Sequence, residues 1–170
     1  KAQELGVPIM IHGGTEFGGA WNDQRFSDPY MLDPALRAFP NLNFIVCHMA
    51  QDFVDKLFNL MRARRNVYAE ISGFSGDMGD VLVTSFWQAY TLLDVTPQHL
   101  MGKFLAAGLE DRILWANDTQ VPYDSPLIER GKAIGTIEDH HVVKILDELK
   151  VSDETKAKIL GGNAAKVFKL

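Results

Sequence analysis

Phe44-Ile45-Val46-Cys47-His48 is a short, continuously apolar segment that ends on a histidine. Two more segments have the same form, residues 7–12 ending on His12 and residues 113–118 ending on Asp118. Runs of this length without polar alternation are typical of strands buried on both faces, as in a parallel sheet covered by helices. In such sheets, ligands and catalytic groups gather at the carboxyl ends of the strands. We therefore expect the two imidazoles and the carboxylate to converge on one site.

The segments between these runs have helical periodicity. Residues 51–64 place their apolar side chains on one face, which predicts an amphipathic helix. Residues 67–71 predict a third strand, and a fourth begins at residue 112. Strands therefore alternate with helices through four units, which predicts an α/β fold with a parallel sheet. The other predicted helices are 81–93, 96–107, 125–132, 139–149, 152–160 and 163–168, with a short helix that begins at Asp33 as its N-cap, followed by Pro34.

Composition narrows the class of protein. A chain of 170 residues with 46% hydrophobic residues is long enough for one domain with a sizeable core. Its net charge of -5, with acidic and basic residues mixed along the chain, argues against a nucleic-acid partner. No apolar stretch approaches the ~20 residues that span a bilayer, and no signal peptide is recognisable. The single Cys47 excludes a disulfide framework within the chain, so we expect a cytoplasmic protein without a membrane partner.

Imidazole and carboxylate together suit a divalent metal, with Zn²⁺ the first choice and Mn²⁺ or Fe²⁺ as alternatives. Such a metal lowers the pKa of water toward ~7 and supplies hydroxide at neutral pH. Each of the three residues also has a structural explanation. His12 precedes two glycines and could cap a strand beside a tight turn, His48 could be a hydrogen-bonded core histidine, and Asp118 could cap a helix.

Three further residues are candidates for substrate contact. Trp21 and Arg25 belong to the long, glycine-rich segment 13–33, whose length is typical of lids and binding loops. They could form a pocket wall for an aromatic or carboxylate-bearing substrate, or be solvated loop residues. Glu70 ends the third strand with Ser72 close behind, and could either touch substrate or pair with a basic neighbour.

The order of several motifs resembles the amidohydrolase-2 family of metal-dependent TIM-barrel hydrolases and decarboxylases, which includes aminocarboxymuconate-semialdehyde and resorcylate-type decarboxylases. The resemblance covers residues 2–170 and matches the later part of the family's barrel, from the fifth strand to the end. The motifs that carry it are His12 and His48 at strand ends, Asn66-Val67-Tyr68, Leu114-Trp115-Ala116-Asn117-Asp118 and Gly162-Asn163-Ala164-Ala165.

The resemblance implies a role for each strand-end residue. His12 would be a metal ligand, His48 would be the acid/base beside the metal, and Asp118 would be a ligand or base. The family's first strand supplies a His-x-His pair that completes the metal shell, and this chain contains no His-x-His. A TIM barrel typically needs ~250 residues. We therefore expect a single domain, residues 1–170, that is the C-terminal portion of a (β/α)8 barrel with about the last four strands and the closing helices.

The expected activity of the parent protein is metal-dependent hydrolysis of a small, carboxylate-bearing organic substrate, with non-oxidative decarboxylation as the alternative in the same family. A third reading comes from another class of protein. Because the His-x-His pair is missing, the chain could be a non-catalytic module. An open half-barrel exposes strand edges at both sides, so we also expect homo-oligomerisation.

Overall fold

A computed structural model describes residues 1–15, 23–72, 96–116 and 139–170. Four parallel strands form one sheet in the order β1-β2-β3-β4. The register aligns Ile11 with Val46 and Val46 with Ala69, so the carboxyl ends of the first three strands are level. The predicted parallel α/β sheet is confirmed. The strands are β1 (Ile9–Ile11), β2 (Phe44–Val46), β3 (Val67–Glu70) and β4 (Ile113–Leu114).

The helices lie close to the predicted positions. Thr96 and Ser152 cap two of them, and each side chain accepts a hydrogen bond from a backbone N–H in the first turn. The predicted helices at 81–93 and 125–132 lie outside the described residues. The described helices are α1 (Ala2–Leu5), α2 (Asp33–Ala38), α3 (Val54–Ala63), α4 (Pro97–Ala106), α5 (Asp139–Glu148), α6 (Asp153–Ala157) and α7 (Asn163–Phe168).

Shorter turns complete the described chain. Two successive 3₁₀ turns, Gln24–Ser27 and Pro29–Leu32, lie in the long segment after β1. A third segment of this kind, Cys47–Phe53, follows β2 and contains residues with non-helical backbone angles. A fourth, Glu110–Arg112, leads into β4, and a π turn, Lys158–Gly162, joins α6 to α7. The helix predicted for 152–160 therefore ends earlier than expected, because the chain widens into the π turn before it resumes as α7.

Asp33 does not cap α2 as predicted. It is the first residue of the helix, Leu32 occupies the N-cap position, and no side-chain cap is formed there. The Asp33 carboxylate instead accepts a hydrogen bond from Arg64 Nε at 2.7 Å, at the end of α3. The aspartate therefore links α2 to α3 rather than closing a helix end.

Helices cover both faces of the sheet, but unequally. The main core packs against the face that carries Phe44, Val46, Val67 and Ala69, and a smaller cluster on the other face joins Ile45, Leu114 and Val167 of α7. The prediction that all strands are buried on both faces is wrong for β1. Met10 is 51% exposed, because α7 packs on this face against Ile45 of β2 and Leu114 of β4, and the described cluster includes no residue of β1.

Two asparagine side chains and one arginine fix the ends of the strands opposite the expected site. Asn66 Nδ2 lies 3.0–3.2 Å from the carbonyl oxygens of Leu36 in α2 and of Phe39 and Leu42, which lie between α2 and β2. Asn163 Nδ2 donates to the carbonyls of Glu110 and Ile113 at 2.7 and 2.8 Å. Arg112 Nη1 donates to backbone carbonyls at the end of α3, and burial lowers the pKa of this guanidinium. These contacts anchor the chain at the amino ends of β2, β3 and β4.

None of the helices in the described ranges 1–15, 23–72, 96–116 and 139–170 has the length and hydropathy needed to cross a bilayer.

Candidate functional site

His12 and His48 lie side by side at the carboxyl edge of the sheet. His12 directly follows β1 and is exposed, whereas His48 lies two residues beyond β2 and is only 8% exposed. Their ring centroids are 5.0 Å apart and the rings meet edge to face at 61°. The sequence predicted this convergence from two parallel strands that each end near a histidine. The exact strand end differed, because β2 stops at Val46 and not at the histidine.

A left-handed turn carries His48. Four successive residues other than glycine, His48, Met49, Ala50 and Gln51, have φ angles of 57°, 48°, 58° and 44°. Each such residue costs of order 1 kcal/mol or more, and strain of this kind concentrates at functional sites. The turn also explains why α3 begins at Val54, three residues later than predicted. It was missed because no glycine in this segment signals a left-handed backbone.

Two glycines after His12 allow the segment that follows β1 to lie close against the end of β2 and the turn after it. A Cβ atom on Gly13 would lie 2.4 Å from Val46 Cγ1, and one on Gly14 would lie 2.5 Å from Gln51 Cβ. Gly14 also has a φ of +94°, which favours glycine. The next residue, Thr15, donates to the Asp52 carboxylate through its N–H at 2.9 Å and its hydroxyl at 2.6 Å. The segments that follow the two histidines are therefore locked together.

Glu70 and Ser72 extend the site behind His48. The Ser72 hydroxyl donates to Glu70 Oε2 at 2.8 Å and lies 2.9 Å from His48 Nδ1. The Ser72 carbonyl oxygen is 3.2 Å from the same ring nitrogen. Backbone N–H groups of both His48 and Ser72 also donate to the Glu70 carboxylate, which is 3% exposed. Glu70 is thus held by hydrogen bonds within the site, and its direct contact with substrate stays a prediction.

Gln51 was not singled out from the sequence. Its side chain is 1% exposed, and among the described residues neither the amide nitrogen nor the carbonyl oxygen has a hydrogen-bond partner. A buried carboxamide in this state is unusual, because nearly all buried polar groups are hydrogen-bonded. Gln51 belongs to the surroundings of the site because it lies three residues beyond His48 and packs against Gly14. A lone glutamine gives no pattern by which sequence reasoning could find it.

Of the remaining predicted site residues, Arg25 is the one that lies within the described ranges, and its contacts are with Asp23. Arg25 is exposed and its guanidinium pairs with the Asp23 carboxylate, with Nε to Oδ1 at 2.8 Å. This hydrogen bond raises the pKa of Arg25 and lowers that of Asp23. Trp21 and Asp118 lie outside the described residues. Substrate contact by Arg25 and Trp21, and metal or proton chemistry at Asp118, stay predictions.

The donor types at the site suit a divalent metal, although the described residues form only part of a ligand set. Zn²⁺ is an ion of borderline softness that binds imidazole nitrogen, and two imidazoles lie at one edge of the sheet. Within the described ranges, no three His, Cys, Asp or Glu side chains are grouped so that they could hold a metal ion. The third predicted donor, Asp118, belongs to the segment outside those ranges.

Comparison with solved structures supports a partial barrel. The chain is similar to an uncharacterised TIM-barrel protein from Bordetella bronchiseptica and to dihydroorotase from Campylobacter jejuni, each at 17% identity, TM-score 0.59 and 99% coverage of this chain. It is also similar to 5-carboxyvanillate decarboxylase from Sphingomonas paucimobilis, at 15% identity, TM-score 0.51 and 99% coverage of this chain. It spans 47%, 49% and 51% of the three chains respectively, about half of each. The described four-stranded parallel sheet is thus part of a TIM barrel.

Sequence comparison gives the family. The search of curated proteins returned no match. The family described as Amidohydrolase, of the amidohydrolase-2 type, matches residues 1–170. Since the match spans every strand and helix described above, the chain belongs to the amidohydrolase-2 family.

Proposed function

We propose that this chain is the site-bearing part of a metal-dependent hydrolase that acts on a small, carboxylate-bearing organic substrate. The observation that carries the proposal is the contact between the His12 and His48 imidazoles at the carboxyl edge of a parallel sheet, 5.0 Å between centroids, in a chain of this family. The parent protein is proposed to be an enzyme, since the other strands of a complete barrel could supply the further metal ligands.

His12 and Asp118 are proposed to hold the metal, with Zn²⁺ the first choice and Mn²⁺ or Fe²⁺ as alternatives. When bound, such a metal acts as a Lewis acid and lowers the pKa of water toward ~7. His48 is proposed to move the proton, because an imidazole can both accept and donate a proton and its ring lies beside His12. Trp21, Arg25 and Glu70 are the proposed substrate contacts, of which Arg25 would meet a carboxylate.

Decarboxylation is the alternative chemistry in the same family. The 5-carboxyvanillate decarboxylase to which the fold is similar acts on a carboxylate-bearing compound, as its name states. For this reaction the site would orient the substrate carboxylate, and a protonated His48 would deliver the proton to carbon as the carbon–carboxylate bond breaks. The same residues serve both reactions, so the substrate decides between them.

Metal binding tests the proposal directly. The chain, purified without chelator and titrated with Zn²⁺, is expected to take up stoichiometric metal by elemental analysis and calorimetry. His12→Ala should lose most of that metal, whereas His48→Ala should retain it and, in the full-length parent, lose turnover. His99→Ala is the matched control, because His99 is an exposed histidine on α4 whose removal should change neither quantity.

A non-catalytic module is the candidate from another class. The lack of a His-x-His sequence in residues 1–170 favours it. In that case the wild-type chain would bind no more Zn²⁺ than the His12→Ala variant. Equal metal content in the two proteins would therefore refute metal binding by this chain.

A further inference from the structure

The hydrogen bonds behind His48 determine which of its ring nitrogens carries the proton. The Ser72 carbonyl oxygen, 3.2 Å from Nδ1, can only accept a hydrogen bond. A neutral imidazole has one N–H and one lone pair. A lone pair on Nδ1 would face the carbonyl oxygen, and an N–H on Nδ1 can donate to it. This contact alone favours the Nδ1–H form.

The Ser72 hydroxyl leads to the same assignment independently. Its proton goes to Glu70 Oε2 at 2.8 Å, because an ionised carboxylate accepts and does not donate. The hydroxyl oxygen is then an acceptor for the ring nitrogen 2.9 Å away. If Nδ1 carried the lone pair instead, the hydroxyl would have to leave Glu70, and a buried carboxylate would lose a charge-assisted hydrogen bond.

We propose that Glu70 and Ser72 are positioning residues that hold His48 in the Nδ1–H tautomer and so place the lone pair on Nε2. Glu70 also accepts hydrogen bonds from the backbone N–H groups of His48 and Ser72. One buried carboxylate therefore holds in place both residues of the His48–Ser72 hydrogen bond. A proton acceptor or ligand nitrogen must present a lone pair, and this arrangement presents it from a single, predetermined atom.

The inference rests on the proposed role of His48 as acid/base, and it assigns Glu70 a role that requires no substrate contact. It makes the Glu-x-Ser sequence at residues 70–72 part of the site. The free histidine side chain has no such constraint and favours the opposite, Nε2–H tautomer. The position of the proton on the neutral His48 ring can therefore be measured, and burial of the ring would not by itself favour Nδ1–H.

The test is a long-range ¹H–¹⁵N correlation spectrum of the histidine rings in the wild-type chain. It is recorded without metal and at alkaline pH, where imidazoles are neutral, with the resonances assigned through bonds. We expect the Nδ1–H form of His48 to exceed the other by about tenfold or more, given the strength of hydrogen bonds to charged groups. Exposed His99 serves as an internal control and should show the ratio of a free histidine side chain.

Two variants separate the hydrogen bonds from burial. Ser72→Ala removes the hydroxyl and should lower the His48 tautomer ratio several-fold, whereas Ser72→Thr keeps a hydroxyl and should restore it. A His48 that is mainly Nε2–H in the wild-type chain would overturn the inference without any variant. An unchanged ratio in a folded Ser72→Ala protein would overturn the role of the Glu70–Ser72 pair. Because no metal or turnover enters this measurement, a failed Zn²⁺ titration would refute the proposed function separately.

Discussion

Replacing Gln51 with methionine should make the chain more stable. The two side chains have nearly the same length, but methionine has no strong hydrogen-bonding group to satisfy. Both polar atoms of the Gln51 carboxamide are buried and, within the part of the chain that the structure describes, have no hydrogen-bond partner. Unfolding returns them to water, so the folded state carries a desolvation penalty that the variant lacks.

The size of this effect follows from the two unpartnered atoms. Each buried, unsatisfied polar group costs about 1–3 kcal/mol. Because the two atoms belong to one amide, we take the lower part of the sum, a gain of about 2–3 kcal/mol in the free energy of unfolding. For a chain of this size, that corresponds to a rise in Tm of roughly 4–12 °C. The backbone strain at φ 44° is unchanged by the substitution and does not enter.

Urea unfolding followed by far-UV circular dichroism measures the difference, with the m-value checked for constancy. Gln98→Met is the matched control, since Gln98 Nε2 donates to Glu148 at 3.0 Å on the protein surface and should yield no gain. If Gln51→Met were no more stable than the wild-type chain, the carboxamide would have to be satisfied in solution, and the argument from its burial would be refuted.

Three further predictions concern other parts of the fold. Asn66→Ala removes the donor to three carbonyls and should lower the free energy of unfolding by about 2–4 kcal/mol in urea titrations; an unchanged midpoint would contradict this. Burial raises the pKa of Asp28, but hydrogen bonds from Lys56 and the Tyr30 N–H outweigh it and leave that pKa lowered. The stability this provides is present at neutral pH and is lost as the pH falls through the carboxyl range, so Asp28→Asn should flatten that part of the stability profile. The wild-type chain should form homo-oligomers through the edge of β1, and Met10→Lys should weaken them in light scattering; a monomeric wild type would refute this.

The sheet and the pairing of the histidines were predictable because they depend on local patterns and on one rule of topology. Apolar runs of five or six residues mark buried strands, and helices between them impose parallel order. Once the strands are parallel, residues that follow their carboxyl ends must be neighbours. His12 and His48 are 36 positions apart in the chain, yet their proximity needs no more information than this.

The left-handed turn and the hydrogen bonds behind His48 were not predictable, because they depend on contacts between segments. Residues 48–51 contain no glycine, so nothing local signals positive φ angles, and helical periodicity extended α3 too far toward its N-terminus. Ser72 and Glu70 were recognised as strand-end residues, but a side chain's partner depends on how β2 and β3 pair. Asp33 was assigned by a capping rule, and a tertiary contact with Arg64 proved stronger.

The glycines that follow His12 have a consequence for what the site can accept. The spacing between the two segments that carry the imidazoles is set by the close packing of Gly13 and Gly14 against residues 46–51 and by the two hydrogen bonds from Thr15 to the Asp52 carboxylate. Moving these segments apart would break both hydrogen bonds. A ligand that needs a different distance between the rings would therefore be accommodated by rotation of the two side chains and not by movement of the backbone.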